Sequence, residues 1–552
     1  MKITIPQSLA ESSARDKAFA LLDQNSAYEL LGPFDRLRSP HLEKQNIVPQ
    51  NDDGVIVMKG TRNNYPTCVV SIEGNFQGGG IGEVSGAKIA AALELALSDL
   101  KNGKELDVVI ILDTGGVRLQ EANYGLLAIA EIQQVAVQLQ EYTPIIGIIP
   151  GRIGSFGGMS ITAGLFNALI MTKEARLGLN GPEVIEQEAG ITEVNSSDRK
   201  ATYLRIGSHS RKQQTLIEFL VDDAVDAIQK AIDEARGMTE NARVTNNKEN
   251  LYHLLRCDVT SKSSSEQNNP SIDSRGLTWL EQLADIGSVQ STNVPTIQIG
   301  QVTLDEPVHV LSITKDNTHR FPRVRNGEFG LLEGYAIADV IDQWIEADAN
   351  RERKTPIIAI VDVVSQAYGH QEEALGLHQS CAAAVHAYAR ARLHGHKIVA
   401  LVVGKALSAA FLSHGLQADR IVAFDDPYVQ VHVMSKQSAA KVTRRSLSEL
   451  ERFTKDVPAM AYDIQSFHSL GATDSLINSI NFDQPSEKDA EQVKDQLLHQ
   501  LQSIKNEQKH HLSHHRLRNE RAKQTRAASI IIREEMAKQW HIEGRNNDGR
   551  TK

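Results

Sequence analysis

Four short stretches place small residues directly after apolar runs: DTGGVR (113–118), SFGGMS (155–160), DVVSQAYG (362–369) and KALSAAF (405–411). A small residue at the end of a strand lets a backbone N–H turn outward and lets a substrate approach the chain closely. Two such amides from neighbouring turns can converge on one oxygen, which favours negative charge developing on a thioester carbonyl. A helix starting at each turn adds its positive end. One turn of this kind is ordinary α/β punctuation. Four of them, two per half at matching intervals, point to function.

A separate glycine cluster, FQGGGIGEVSGAKIAAALELALS (76–98), follows the strand-like TCVVSIEGNF and runs into an alanine- and leucine-rich helix. Strand, glycine loop and helix also open a dinucleotide-binding fold. The spacing of Gly80, Gly82 and Gly86 is G-x-G-x-x-x-G, however, and a lone cluster of this kind is weak evidence. The acidic residue that should close the second strand for a ribose is missing too, since SDLKNGKELD (98–107) reads as a polar loop.

The elements that position these turns are short, continuously apolar runs: DVVIIL (107–112), PIIGII (144–149), PIIAIV (356–361) and KIVALVV (397–403). Continuous rather than alternating apolarity predicts strands covered on both faces, hence α/β layers. TSKSSSEQNNPSIDS (260–274) is linker chemistry and divides the chain into two nearly equal halves. The halves repeat one another. In the first, a strand ends at Asp113, Gln120–Glu121 follow, and Gly157 comes 44 residues after the aspartate. In the second, a strand ends at Asp362, Gln371–Glu372 follow, and Ala409 comes 47 residues on. Matching punctuation over such lengths implies duplicated domains, which argues against a cofactor domain followed by a different substrate domain.

The motifs resemble a family. LDTGGVRLQEANYG (112–125) and PGRIGSFGGMSITAGLFNALIMTKEARLGLNGPEVIE (150–186) resemble the carboxyltransferase domains of biotin-dependent carboxylases, which have the crotonase-like fold. FPRVRNGEFGLLEGYAIADVI (321–341), AIVDVVSQAYGHQEEALGLHQSCAAAVHAYARARLHGH (359–396) and GKALSAAFLSHGLQADRIVAFDDPYVQVHVMSKQSAAKVTRRS (404–446) closely resemble the γ subunit of biotin-independent malonate decarboxylases. The first half, with QGGGIGEVSGAKI, then resembles the β subunit. The resemblance covers roughly residues 30–240 and 275–475.

It implies two tandem crotonase-like (ClpP/crotonase) carboxyltransferase domains: N-type over 1–259, a linker over 260–274, C-type over 275–483, and a charged helical or partly disordered tail over 484–552. It also implies decarboxylation of a malonyl thioester on an acyl carrier protein to the acetyl thioester and CO2. The substrate would ride on a phosphoribosyl-dephospho-CoA arm, and an acyl-carrier-protein transferase subunit would be a further partner. By motif, the amides around Gly116–Val117 and Gly157–Gly158 form one oxyanion hole; those around Ser365–Gln366 and Ser408–Ala409 form the other. Ala409 departs from the family's usual glycine. Candidate donors for the acetyl carbanion are Tyr368, His370 and Glu372, with helix capping or structural pairing as the alternative for each. Gly79, Gly80 and Gly82 are expected to approach the carrier arm. Arg323 and Arg325 would hold its phosphate or a carboxylate, or else form surface salt bridges.

Composition narrows the field. The chain has 552 residues, 41% hydrophobic and 23% charged, with a formal charge of −10, which excludes wholesale nucleic-acid binding. Cys68, Cys257 and Cys381 form no C-x-x-C pair, and no apolar run approaches a membrane span or a signal core, so a cytoplasmic protein is expected. No metal constellation appears; His510, His511, His514 and His515 read as a solvated helix face in a polar tail. No biotin-attachment sequence is present, so biotin would have to arrive on another protein. Within the tail, RAASIIIREEMAKQW (526–540) reads as a partly disordered helical extension or an amphipathic docking helix. Two rival functions stand beside the decarboxylase: a biotin-dependent acyl-CoA carboxyltransferase subunit, and a non-catalytic scaffold that binds the carrier protein. A homo-oligomer is a further option.

Overall fold

The computed structural model describes residues 8–257, 274–504 and 511–541. Of the expected linker only Ser274 falls within them, and His510 falls outside. By contact the chain divides into two compact units. One comprises Met1–Pro182, Ser196–Ala242 and Arg526–Lys552; the other comprises Glu183–Asn195 and Arg243–Thr525.

The first unit is built on a seven-stranded sheet in sequential order: β1 (Tyr28–Leu30), β2 (Val55–Arg62), β3 (Tyr65–Ile72), β4 (Asp107–Ile111), β5 (Ile145–Ile149), β6 (Ala168–Thr172) and β7 (Phe219–Val221). β1, β2 and β3 pair antiparallel, and from β3 onward every pairing is parallel. The β2–β3 hairpin turns on Asn63 and Asn64, both left-handed, as a two-residue turn between right-twisted strands requires. β4, β5 and β6 are buried along their whole length, which accounts for their continuous apolarity. One face is covered by helices Ala14–Ala20 and Val225–Ala235, whose Ala14, Ala18, Ile228 and Ile232 pack on Val109, Ile111, Ile146 and Ile148. Glu83–Lys101 and Ala122–Leu139 are two further helices of this unit, packed on one another.

The second unit repeats this plan. Its sheet runs β8 (Gln290–Ser291), β9 (Ile297–Thr303), β10 (Pro307–Ile313), β11 (Ile357–Val363), β12 (Ile398–Leu407), β13 (Arg420–Phe424) and β15 (Ser475–Ile477), with β14 (Gln430–His432) beside β12. Here too the first three strands are antiparallel and the rest parallel. β12 outlasts its apolar run: Lys405–Leu407 continue the strand because β14 pairs with them. Shared strand order is the structural form of the repeat seen in the sequence.

Two segments pack away from their neighbours in sequence. Residues 183–195, following the first unit's last glycine turn, belong to the second unit. The end of the tail belongs to the first. Helix Ala527–Gln539 lies along helix Glu83–Lys101, with Ile532, Met536 and Trp540 buried. Arg526 reaches Glu131 at 2.8 Å, Arg533 bridges Glu94 and Glu131, and the Trp540 indole donates to Asp99 at 2.8 Å. The stretch read as a docking or disordered helix is thus docked on its own chain.

Among the described residues no helix is long and apolar enough to cross a membrane, and no group of histidines, cysteines and acids could hold a metal ion. Cys68, Cys257 and Cys381 are free thiols.

Candidate active site

In the first unit the turns after β4 and β5 abut. A Cβ on Gly116 would lie 3.0 Å from the Gly157 Cα, and a Cβ on Gly157 would lie 3.0 Å from the Gly116 Cα and 3.8 Å from the Val117 nitrogen. Side chains at these positions would hold the turns apart. Gly157 also has φ 57° and ψ −147°, a conformation that essentially only glycine adopts. Two of the four expected amides are occupied: Gly116 donates to Thr114 Oγ1 at 3.0 Å and Gly157 to the Leu179 carbonyl at 2.9 Å. The others are placed differently. Ile81 donates to the Gly116 carbonyl and Arg118 donates to the Ile81 carbonyl, so the Val117 N–H between them faces the other way. Gly158 is the first residue of helix Gly158–Leu165, where an N–H has no partner inside the helix. Of the expected quartet, Val117 and Gly158 are the two whose amides are not taken up by these hydrogen bonds.

The second unit reproduces the backbone pattern. Phe329 donates to the Ser365 carbonyl and Ala367 to the Phe329 carbonyl, both at 2.8 Å, so the Gln366 N–H faces away as that of Val117 does. The left-handed residue is Ser408, with φ 62°, which opens helix Ser408–Ser413, and Ala409 follows it. Alanine at 409 thus meets no positive φ; the strained position is 408. The strand-end aspartates also correspond. Asp113 accepts from the Ile153 amide at 2.7 Å and Asp362 from the Lys405 amide at 3.1 Å, each tying its strand to the end of the next. Asp113 is further paired with buried Lys17 at 2.9 Å.

The three candidate donors border the second turn in different states. The half-buried Tyr368 hydroxyl lies beside Ser408 and Gln366, and burial pushes its pKa up, so it is a neutral phenol. His370 opens helix His370–Ala374, and both its amide and its Nδ1–H donate to Glu193 Oε1 at 2.8 Å. Arg323 donates to the other oxygen of Glu193 at 3.0 Å. Burial would raise the Glu193 pKa, but the His370 and Arg323 hydrogen bonds outweigh it and hold it at about 2. Glu372 is 3% exposed, its Oε1 has no hydrogen-bond partner, and its Oε2 occupies the space that a Cβ on Gly369 would need. Burial, assisted by the negative Glu193, raises its pKa to about 7. Sequence reasoning missed Glu193, and also Glu188, which accepts a hydrogen bond from Ser438. Both lie far along the chain from the turn they serve, so no local signal marks them.

The remaining candidates have other duties. Gly79, Gly80 and Gly82 are buried, and their open faces meet protein. A Cβ on Gly79 would lie 2.1 Å from the Asp113 carbonyl oxygen, and one on Gly82 would lie 2.1 Å from Glu121 Oε2. These glycines bring the loop and helix Glu83–Lys101 against the turn after β4. Arg323 is engaged by Glu193 and the Ala189 carbonyl, and Arg325 donates through Nε to the His319 carbonyl at 3.0 Å.

Paired turns at the ends of parallel strands thus occur once in each of the two repeated units. Residues 11–213 match the carboxyl transferase domain family. Residues 324–540 match the malonate decarboxylase gamma subunit family. The chain belongs to the malonate decarboxylase branch of the carboxyltransferases, with beta-like and gamma-like halves in one polypeptide. It is 42% identical over 211 residues to the malonyl-S-ACP:biotin-protein carboxyltransferase MADC of Malonomonas rubra, covering 36% of this chain and 66% of that one. It is 38% identical over 191 residues to MADD of the same organism, covering 34% and 64%. The chain thus spans just under two thirds of each of these relatives. A chain of the Pseudomonas malonate decarboxylase hetero-tetramer, solved with malonate, is 47% identical, with 47% of this chain and 94% of that chain covered and a TM-score of 0.45.

Proposed function

We propose that this chain decarboxylates a malonyl thioester carried by an acyl carrier protein, giving the acetyl thioester and CO2 in malonate breakdown. The substrate is borne on a phosphoribosyl-dephospho-CoA arm, and a transferase subunit loads the carrier. The C2–carboxylate bond breaks, CO2 leaves, and the electron pair passes into the thioester as an enolate. Outward-facing amides at a strand-end turn pair hold the enolate oxygen, and C2 then takes a proton. Such amides act where charge develops and need no covalent nucleophile. The observation that carries this reading is the pair formed by Val117 and Gly158, with its backbone counterpart at Gln366 and Ala409.

Protonation is assigned to the second unit, where Tyr368, His370 and Glu372 border the turn. His370 is committed to Glu193, and the phenol of Tyr368 is a weak acid. Glu372, with a pKa of about 7, is the group able to give up and regain a proton at neutral pH.

A second reading has specific support, because the two Malonomonas relatives are named as carboxyltransferases to a biotin protein. There the carboxyl group would pass to biotin on another polypeptide instead of leaving as CO2. Malonyl-carrier protein given to the complex with excess avidin separates the two. Undiminished CO2 release is the expected result, and inhibition by avidin would move the assignment to carboxyl transfer.

A further inference from the structure

The cluster around Glu372 holds a histidine and an arginine, yet neither pairs with it. His370 is two residues away on the same short helix, and Arg323 comes from the turn Pro322–Val324. Both are bound instead by Glu193, from the segment 183–195. Its Oε1 takes the His370 amide and Nδ1–H, and its Oε2 takes Arg323 Nη2. Glu372 meanwhile keeps a buried oxygen without a hydrogen-bond partner and receives only its own backbone amide.

We propose that Glu193 is a positioning residue for the decarboxylation: by binding His370 and Arg323 together it withholds both from Glu372 and leaves that carboxyl without a counter-ion. The inference rests on the assignment of Glu372 as the proton source. A carboxyl meant to carry a proton at neutral pH must be kept from a cation, because an opposite charge within about 4–6 Å lowers a carboxyl pKa by about 1–3 units. The charged groups acting on Glu372 are Glu193, which favours its protonated form, and His370 and Arg323, which favour its ionised form. Its helix neighbour Glu373 is buried and has partners of its own.

Removing the Glu193 charge therefore takes away an anion and frees two donors at one stroke. In Glu193→Gln the Glu372 carboxyl should ionise at a pH lower by about one unit, cutting its proton occupancy above neutrality about tenfold. In Arg323→Met the titration should move the opposite way, and the double variant should fall between. General misfolding would not produce shifts of opposite sign.

Infrared difference titration of the full chain reads the protonated carboxyl directly, with Glu372→Gln versions of each variant identifying the band. The pH profile of CO2 release from malonyl-carrier protein reads its consequence in the assembled complex. Opposed shifts of band and alkaline limb are expected. An unmoved Glu372 band in Glu193→Gln overturns the role of Glu193 while leaving the proton-source assignment standing. A band that shifts as expected while Glu372→Gln turns over at the normal rate overturns that assignment instead.

Discussion

The turn after β4 and the turn after β11 share their backbone hydrogen bonds but treat their acids in opposite ways. In the first, the residue beyond the outward-facing amide is Arg118, fully buried and bonded to Glu121 at 2.6 Å and to Asp53 at 2.7 Å. Burial alone would raise the Glu121 pKa; Arg118, followed by His41, outweighs it and holds Glu121 below its ordinary value. In the second, the equivalent position is Ala367, the acid is Glu372, and its pKa rises to about 7. One copy of the turn spends its acid on holding the loop; the other leaves its acid free to titrate. Duplication conserved the backbone device and separated the side-chain roles.

The largest expected effect comes from breaking the structural copy. Arg118→Met strands two buried carboxylates and should cost about 3–5 kcal/mol, read as a lowered denaturation midpoint. The acids themselves should respond with opposite signs. Glu372 has a folded pKa above its ordinary 4.5, so the stability it confers is complete below about 4.5 and lost as pH rises through about 7. Glu372→Gln should accordingly stabilise the chain at pH 8 by up to about 3 kcal/mol. Glu121 has a lowered folded pKa, so its contribution is present above its unfolded value and lost in acid; Glu121→Gln should destabilise at the same pH. Denaturant curves of both variants at pH 8 and pH 4 check the contrast.

The glycine positions sharpen it further. Gly157→Ala should cost about 1–3 kcal/mol from backbone conformation alone. It should also disturb the Val117–Gly158 pair and so lower CO2 release. Ser408→Gly, at the corresponding left-handed position, should change stability by less than about 1 kcal/mol, because relief of strain offsets added chain freedom. A comparable loss in both variants would show that the two turns are not equivalent backbones.

The core strands and the strand-end turns were legible because each depends on local chemistry. DVVIIL and PIIGII can only be strands buried on both faces, and DTGGVR and SFGGMS punctuate them. The duplication was legible because whole intervals repeat. What escaped was set by contacts distant in sequence. Glu193 lies 177 residues from His370, and nothing near it announces that partnership. The tail helix reads as a partly disordered extension or a docking helix because Ile532, Met536 and Trp540 have no local partner; their partner is helix Glu83–Lys101. The glycines of QGGGIG were expected to approach a ligand, yet the backbone they approach is the chain's own, at Asp113. Ala409 drew attention as a missing glycine, whereas the positive φ falls one residue earlier, on a serine.

The most direct test of the account is the pH dependence of CO2 release from malonyl-carrier protein, with avidin present, by the parent and by Glu372→Gln. The parent should lose activity as pH rises through about 7, where Glu372 gives up its proton. The variant should be slower by about 10²-fold or more at pH 6 and should lack that alkaline limb. A Glu372→Gln enzyme with the parent's rate and the parent's limb would contradict the central claim.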